Sequence, residues 1–372
     1  MFMQTLARVC LFLFLISAVS VYGQEFTQRE PVATLVLSFA GDAYMSDEEN
    51  ARSPLEKTNS FLYQDLVPLL HGDDASFLDL NSPVTNQGSR RKPANAHPSQ
   101  IEAMVNAGFD VFSLANLDVA QQGLLGLQQT KESWKMLWQR FPWIRYSGLK
   151  ENASDAVKAT IFSRKNKNIA LLSFVQLAAA DLQKNEAFSF INTVDFHSQS
   201  EWSRLLSYIK TLRTQADLVI VSYHGGDAQL EASEPWQKAL RDLIDAGADV
   251  VWNHHRAQYK QRVEFYQDRL IIHNNGTLLT DEVWDVQGSE EDLILASSGH
   301  SLLYRLSWYW YTDGDQRFVV EAMPLSNYLH PQLGRLIIRS DDMRTLKSLP
   351  PVWRIYYERL LQGWAEGSGG KE

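Results

Sequence analysis

Short apolar or β-branched runs alternate with longer stretches of helical periodicity along most of the chain. Runs at 33–40 (ATLVLSFA), 75–80 (ASFLDL), 109–115 (FDVFSLA) and 168–174 (NIALLSF) predict strands. So do 217–223 (DLVIVSY), 248–252 (ADVVW) and 269–273 (RLIIH). Between them the spacing predicts helices over 59–70, 98–107, 124–139, 198–213 and 234–246. In the first of these, Leu62, Leu66, Leu69 and Leu70 share one face. Pro98 and Pro235 stand near helix starts, where a missing backbone donor costs little. Such alternation predicts an α/β protein with a largely parallel or mixed sheet covered by helices on both faces. Later, two strands flank Asp313-Gly-Asp, a hairpin signal, and the SWYWY run within it reads as core and edge packing. The segment PPVWRIYYERLLQGW predicts a last amphipathic helix against the body.

The first 23 residues differ from this pattern. Arg8 is their only charge, and the apolar run VCLFLFLISAV is followed by VYG before Gln24. That is the form of a secretory signal peptide cleaved near Gly23; the run is short for a membrane span, so a retained anchor is the weaker alternative. The expectation is export to the periplasm or cell surface. Cys10, within this run, is the only cysteine, so the mature chain is stabilised without disulfides. No Pro-, Gly- or Ser-rich linker divides the remainder, which reads as one domain over 24–330 with an extension at 331–372. A formal net charge of −9 argues against nucleic acid as a partner.

Ligands of open α/β sheets bind beyond the carboxyl ends of the strands. Here those ends carry Gly41-Asp42, Asp79-Leu80-Asn81, Asn116-Leu117-Asp118, His224-Gly225-Gly226-Asp227, Asn253-His254-His255-Arg256 and His273-Asn274-Asn275-Gly276. Each group alone is a common turn or a structural histidine. Together they make an N/O pocket suited to a transition metal, or else a polar and inert rim. If extended, the adjacent His254 and His255 point in opposite directions, so one of them at most faces the site.

These same segments resemble the CapA family, the poly-gamma-glutamate or capsule synthesis proteins with a calcineurin-like metallophosphatase fold. The likeness runs from about residue 33 to 330 and rests on LSFAGDAYMS, LDLNSPVTNQG, NAGFDVFSLANLDVAQQGLLGLQQT, ADLVIVSYHGGD, QKALRDLIDAGADVVWNHHRAQ and DRLIIHNNGTLL. It implies central mixed sheets flanked by helices, a C-terminal hairpin and helix, and a metal centre held by strand-end side chains. Carried over by position, Asp42, His224 and His255 keep their family donors. Asn81 stands where the family has Glu, Leu117 replaces a ligand Asn, and Asp118 takes the place of the family's candidate acid. Ala257 replaces a second His, and Gln121 replaces an Asp.

Such losses leave too few donors for two metals. Three donors can still form one open site, which Asn81 or Asp118 would complete, for one divalent ion (Mn, Fe or Zn) or for none. Arg256, with His254 and Asn275 as further ligand-binding candidates, would suit an anionic group. Two readings follow. In the first, an exported CapA-like envelope protein works with capsule or poly-gamma-glutamate synthesis machinery and has weak or no hydrolase activity. In the second, a mononuclear phosphoesterase uses Asp42, His224 and His255, with Asp118 and His224 in proton transfer. The expected ligand is an anionic polymer or a phosphoester.

Overall fold

The computed structural model describes residues 30–44, 62–85, 95–226, 233–254, 263–279, 300–330 and 335–340. The expected signal segment and the expected helix at 350–364 lie outside them. In chain order the strands begin with β1 (Ala33–Ala43), β2 (Ala75–Leu80), β3 (Val111–Ser113), β4 (Arg145–Ser147), β5 (Thr160–Arg164), β6 (Lys167–Gln176) and β7 (Thr193–Val194). They continue with β8 (Leu218–His224), β9 (Val250–His254), β10 (Val263–Tyr266), β11 (Arg269–Ile272) and β12 (Thr277–Leu279). The last three are β13 (His300–Trp310), β14 (Gln316–His330) and β15 (Arg335–Ser340). Four longer helices are α1 (Pro98–Ala107), α2 (Gly123–Arg140), α3 (Gln199–Arg213) and α4 (Glu234–Asp245). Among the described residues no helix is long and apolar enough to cross a membrane.

Two mixed sheets form. The first has the order β15-β14-β13-β1-β2-β3-β4 with β12 also on β1, and the second β10-β11-β9-β8-β6-β5 with β7 on β6. Strands β1 to β4 run parallel, as do β6, β8, β9 and β11, so their carboxyl ends gather at one edge. The alternation within each strand then makes three apolar layers. Leu35, Leu37, Phe39, Phe77 and Val111 of the first sheet meet Ile169, Leu171, Ile220, Val250 and Trp252 of the second. Leu78 and Phe112 face outward onto Ile101, Met104 and Trp134 of α1 and α2. Val219, Val221 and Tyr223 face the other way, onto Leu205 and Ile209 of α3 and Trp236 and Leu240 of α4. The result is a helix–sheet–sheet–helix sandwich.

Several sequence expectations change. The helix over 59–70 is reduced, among the described residues, to the single turn Val67–Leu70, because Pro68 has no N–H to extend a ladder from upstream. Leu62, Leu66 and Leu70 are buried all the same. β3 is only three residues long, and β1 continues through Gly41-Asp42 to Ala43. The hairpin forms as expected around Gly314, whose φ is 85°. Within it Trp308 is fully buried and stacks on Phe318, centroids 4.8 Å apart. β15 pairs with β14, so the first sheet extends past residue 330.

His273, one of the strand-end polar groups, serves the β10–β11 ribbon. Its Nε2 lies 3.0 Å from Glu264 Oε2, while Arg241 Nε donates to Glu264 Oε1 at 2.6 Å. Burial opposes ionisation of Glu264, but hydrogen bonds from His273 and Arg241, with their charges, outweigh it and hold the carboxyl at about 2, below its ordinary 4.5. A depressed pKa contributes stability that is full above 4.5 and lost as pH falls toward 2. Glu264→Gln is therefore expected to lower unfolding free energy by about 1–2 kcal/mol at pH 7. Denaturant titrations should show the gap between parent and variant closing between pH 4.5 and 2; a gap independent of pH contradicts the assignment.

Candidate metal centre

A bulge in β1 sets the site. Phe39 pairs with Phe77, yet three residues later Asp42 pairs with Asp79, two residues on in β2. The extra residue reverses the parity of β1, so Asp42 projects to the same face as Asp79, between the sheets. The register continues outward from Asp79 to Ser113 of β3 and Ser147 of β4. Opposite, on β8 and β9, His224 pairs with His254, each two residues beyond Ser222 and Trp252. By the same alternation, both imidazoles share the inward face of Ile220, Val250 and Trp252.

Asp42, Asp79 and His254 are all buried, and one ligand atom from each lies within 4.8 Å of the others. His254 Nδ1 is 3.0 Å from Asp42 Oδ1 and 3.9 Å from Asp79 Oδ2. On its other side, Nε2 is 3.1 Å from Ser222 Oγ, and Ser222 donates onward to Ser113 Oγ at 2.9 Å. With the Ser222 proton given to Ser113, the ring donates Nε2–H to Ser222 and turns Nδ1 to the carboxylates, where a proton or a metal cation can sit. Trp252 packs edge-on against this ring, centroids 4.1 Å apart.

His224 stands one step out. Its Nδ1 donates to Asp79 Oδ2 at 3.1 Å, and its side chain is 16% exposed. Burial opposes the charged ring, but the Asp79 hydrogen bond and the charges of Asp79, Asp42 and Asp118 outweigh it and raise the pKa to about 9. Burial likewise works against ionised Asp79, yet His254 and His224 keep its carboxyl below the usual value.

The donor set fits a cation. Asp79 Oδ1 and Asn81 Oδ1 are both buried with no hydrogen bond among the described residues, which leaves acceptor oxygens for an electrophile. Two carboxylates and an imidazole are ligands that zinc, iron and manganese accept.

The bacterial capsule synthesis protein PGA_cap family matches residues 36–282. The chain belongs to this family. Its fold is accordingly the calcineurin-like metallophosphatase arrangement, two mixed sheets flanked by helices. The capsule biosynthesis protein CapA of Bacillus anthracis is 26% identical over 239 residues, 60% of this chain and 54% of that protein. The PGA biosynthesis protein CapA of Bacillus subtilis is 22% identical over 257 residues, 67% of this chain and 64% of that one. The match thus spans less than two thirds of either relative. A hypothetical protein from Thermus thermophilus aligns with a TM-score of 0.42 at 12% identity, covering 77% of this chain and 99% of that one. Vps29 from Chaetomium thermophilum aligns at 0.25 and 10%, covering 78% and 97%.

Set against the residues expected from sequence, the structure brings Asp42 into the close group and places His224 on its Asp79 flank. Asn81 is buried beside them in sequence order, just past β2. Asp118 accepts a hydrogen bond from Gln121 and lies near enough to act on His224 through its charge. His255 and Arg256 lie outside the described residues. Asn275 is engaged in the fold: its amide donates to Phe39 O and Leu302 O and its Oδ1 accepts from Trp252 Nε1, each at 2.9 Å, so it ties the sheets together. Leu117 packs on the apolar cluster of Ala115, Val119 and Ile191. Asp79 was not among the expected site residues, and His254 was expected to bind an anionic ligand, not a metal. A signal for Asp79 existed: a carboxylate inside the otherwise apolar, fully buried ASFLDL requires a partner. For His254 the signal was parity with Trp252.

Gly41 makes the bulge possible. A Cβ there would stand 1.9 Å from the carbonyl oxygen of Gly276, which accepts from Asp42 N at 3.0 Å. Gly41→Ala is expected to cost about 1–3 kcal/mol by overpacking against backbone that cannot rotate away. Thermal unfolding checks it, and an unchanged midpoint would show that β1 and β12 part freely.

Proposed function

We propose that this protein is an exported CapA-like component of capsule or poly-gamma-glutamate-type polymer synthesis, acting on an anionic polymer or phosphoester at a one-metal centre. The carrying observation is the buried group of Asp42, Asp79 and His254, whose ligand atoms lie within 4.8 Å of one another. Those three would hold one Mn, Fe or Zn ion, with Asn81 Oδ1 as a further acceptor. When bound, such an ion supplies Lewis-acid polarisation of a phosphoryl or carbonyl oxygen. Around it, Ser222 fixes the His254 ring, Asp79 orients His224 toward the rim, and His224 with Asp118 handles protons there.

A second reading, binding without hydrolysis, draws support from the loop after β3. Leu117 offers no donor, and Asn116 is committed to the backbone, donating to Leu80 O at 2.8 Å and accepting from Val119 N at 3.0 Å. Neither of these two residues lends the centre a ligand for a second metal.

Metal analysis and a phosphodiesterase assay with a chromogenic diester separate the two. The expected result is one equivalent of metal, diester cleavage that depends on it, and affinity at least ~10-fold weaker in Asp79→Asn and His254→Ala. Two equivalents, or none, would overturn the one-metal centre. One equivalent without cleavage leaves the binding role.

A further inference from the structure

A second site lies at the edge of the first sheet. Between α2, the end of β4 and the segment 148–160 is a cleft of about 940 Å³, within the range of small-ligand sites. Its wall on α2 carries Lys131, Lys135 and Trp138, at i, i+4 and i+7 and therefore on one helix face. Arg145, Lys150 and Lys158 contribute from the other side. Against these five cations the cleft has three carboxylates, Glu132, Glu151 and Asp155, so it is locally positive in a chain of net charge −9. Asp155 is held by the backbone N–H of Asn152 at 2.8 Å. Lys131 is also fixed, donating to Glu151 O at 3.1 Å and lying 5.1 Å over the Phe190 ring. Lys135 and Lys158 are exposed at the cleft. Burial lowers the pKa of Lys150 despite the nearby Asp155 and Glu201 charges, which marks a partly water-excluded cation.

Trp138 decides the class of ligand. The residue is 52% exposed and lines the cleft with these cations, a flat apolar face in a site that also carries ammonium groups. An exposed indole lining a concave site offers a flat apolar face on which a ring can stack. A uronic acid ring carries both complements on one unit: a C–H face for the indole and a carboxylate for a lysine. An acidic peptide carries its carboxylates on flexible stems with no such face. We infer that this cleft binds a segment of acidic oligosaccharide, with Trp138 stacked on a sugar ring and Lys135 and Lys158 on its carboxylates.

The cleft goes beyond the metal centre but lies in line with it. Ser147 in its lining ends β4, and Ser147 is in register with Ser113 and, through it, Asp79. Two strand spacings place that floor about 10 Å from Asp79.

The test uses the full chain with a hexameric galacturonate, its methyl-esterified neutral counterpart and a poly-glutamate of equal charge, followed by calorimetry at two salt concentrations. Expected is binding of the galacturonate alone, weakened by salt. Trp138→Ala, and the pair Lys135→Gln with Lys158→Gln, should each weaken it at least tenfold. These side chains are exposed, and unchanged circular dichroism and metal content in the variants separate a failure of the cleft from a failure of the metal centre. No binding of galacturonate, equal binding by Trp138→Ala, or a preference for poly-glutamate overturns the inference.

Discussion

Two buried carboxylates on neighbouring strands are the constraint around which this structure is organised. Asp42 and Asp79 pair in register at the ends of β1 and β2, with ligand atoms within 4.8 Å. Two unit charges at that distance repel by about 3 kcal/mol at an effective dielectric of 20, and burial adds a desolvation cost. The second sheet supplies their partners, His254 on Asp42 and His224 on Asp79. The site thus depends on how the two sheets stack. Directly beneath it, Phe39 and Phe77 stack at 4.6 Å, and Trp252 meets both edge-on. This aromatic layer fixes the sheet separation from which the imidazoles reach the carboxylates.

Much of the architecture was legible because each strand and helix carries its own periodicity. NIALLSF and DLVIVSY carry continuous apolar runs, IALL and LVIV, as strands covered on both faces do, and they became β6 and β8. The 59–70 helix failed where leucine spacing outvoted Pro68. β4, β7 and β12 are three residues or fewer and have no period to detect.

The candidate site was legible in kind but not in membership. Strand-end Asp and His residues were visible, and Asp42 and His224 do converge. Which carboxylate joins Asp42 depends on the register between two strands 32 residues apart and on a bulge at Gly41, and neither is encoded locally. The inward placement of His254 follows from parity with Trp252, which faces the inter-sheet core. For Asn275 an Asn-Asn-Gly turn and a polar ligand look alike in sequence, and the three hydrogen bonds by which its amide ties the sheets appear only in the fold.

Membership in the capsule synthesis family and the buried Asp-Asp-His group describe one object at two scales: a two-sheet scaffold, and a cluster of two carboxylates and an imidazole where its sheets meet. The most direct measurement is crystallographic: anomalous scattering from crystals grown with manganese or zinc. The account predicts a single peak bonded to Asp42, Asp79 and His254 Nδ1. A site left without a peak at saturating metal, or an ion held elsewhere with these three side chains bonded only to one another, would contradict it.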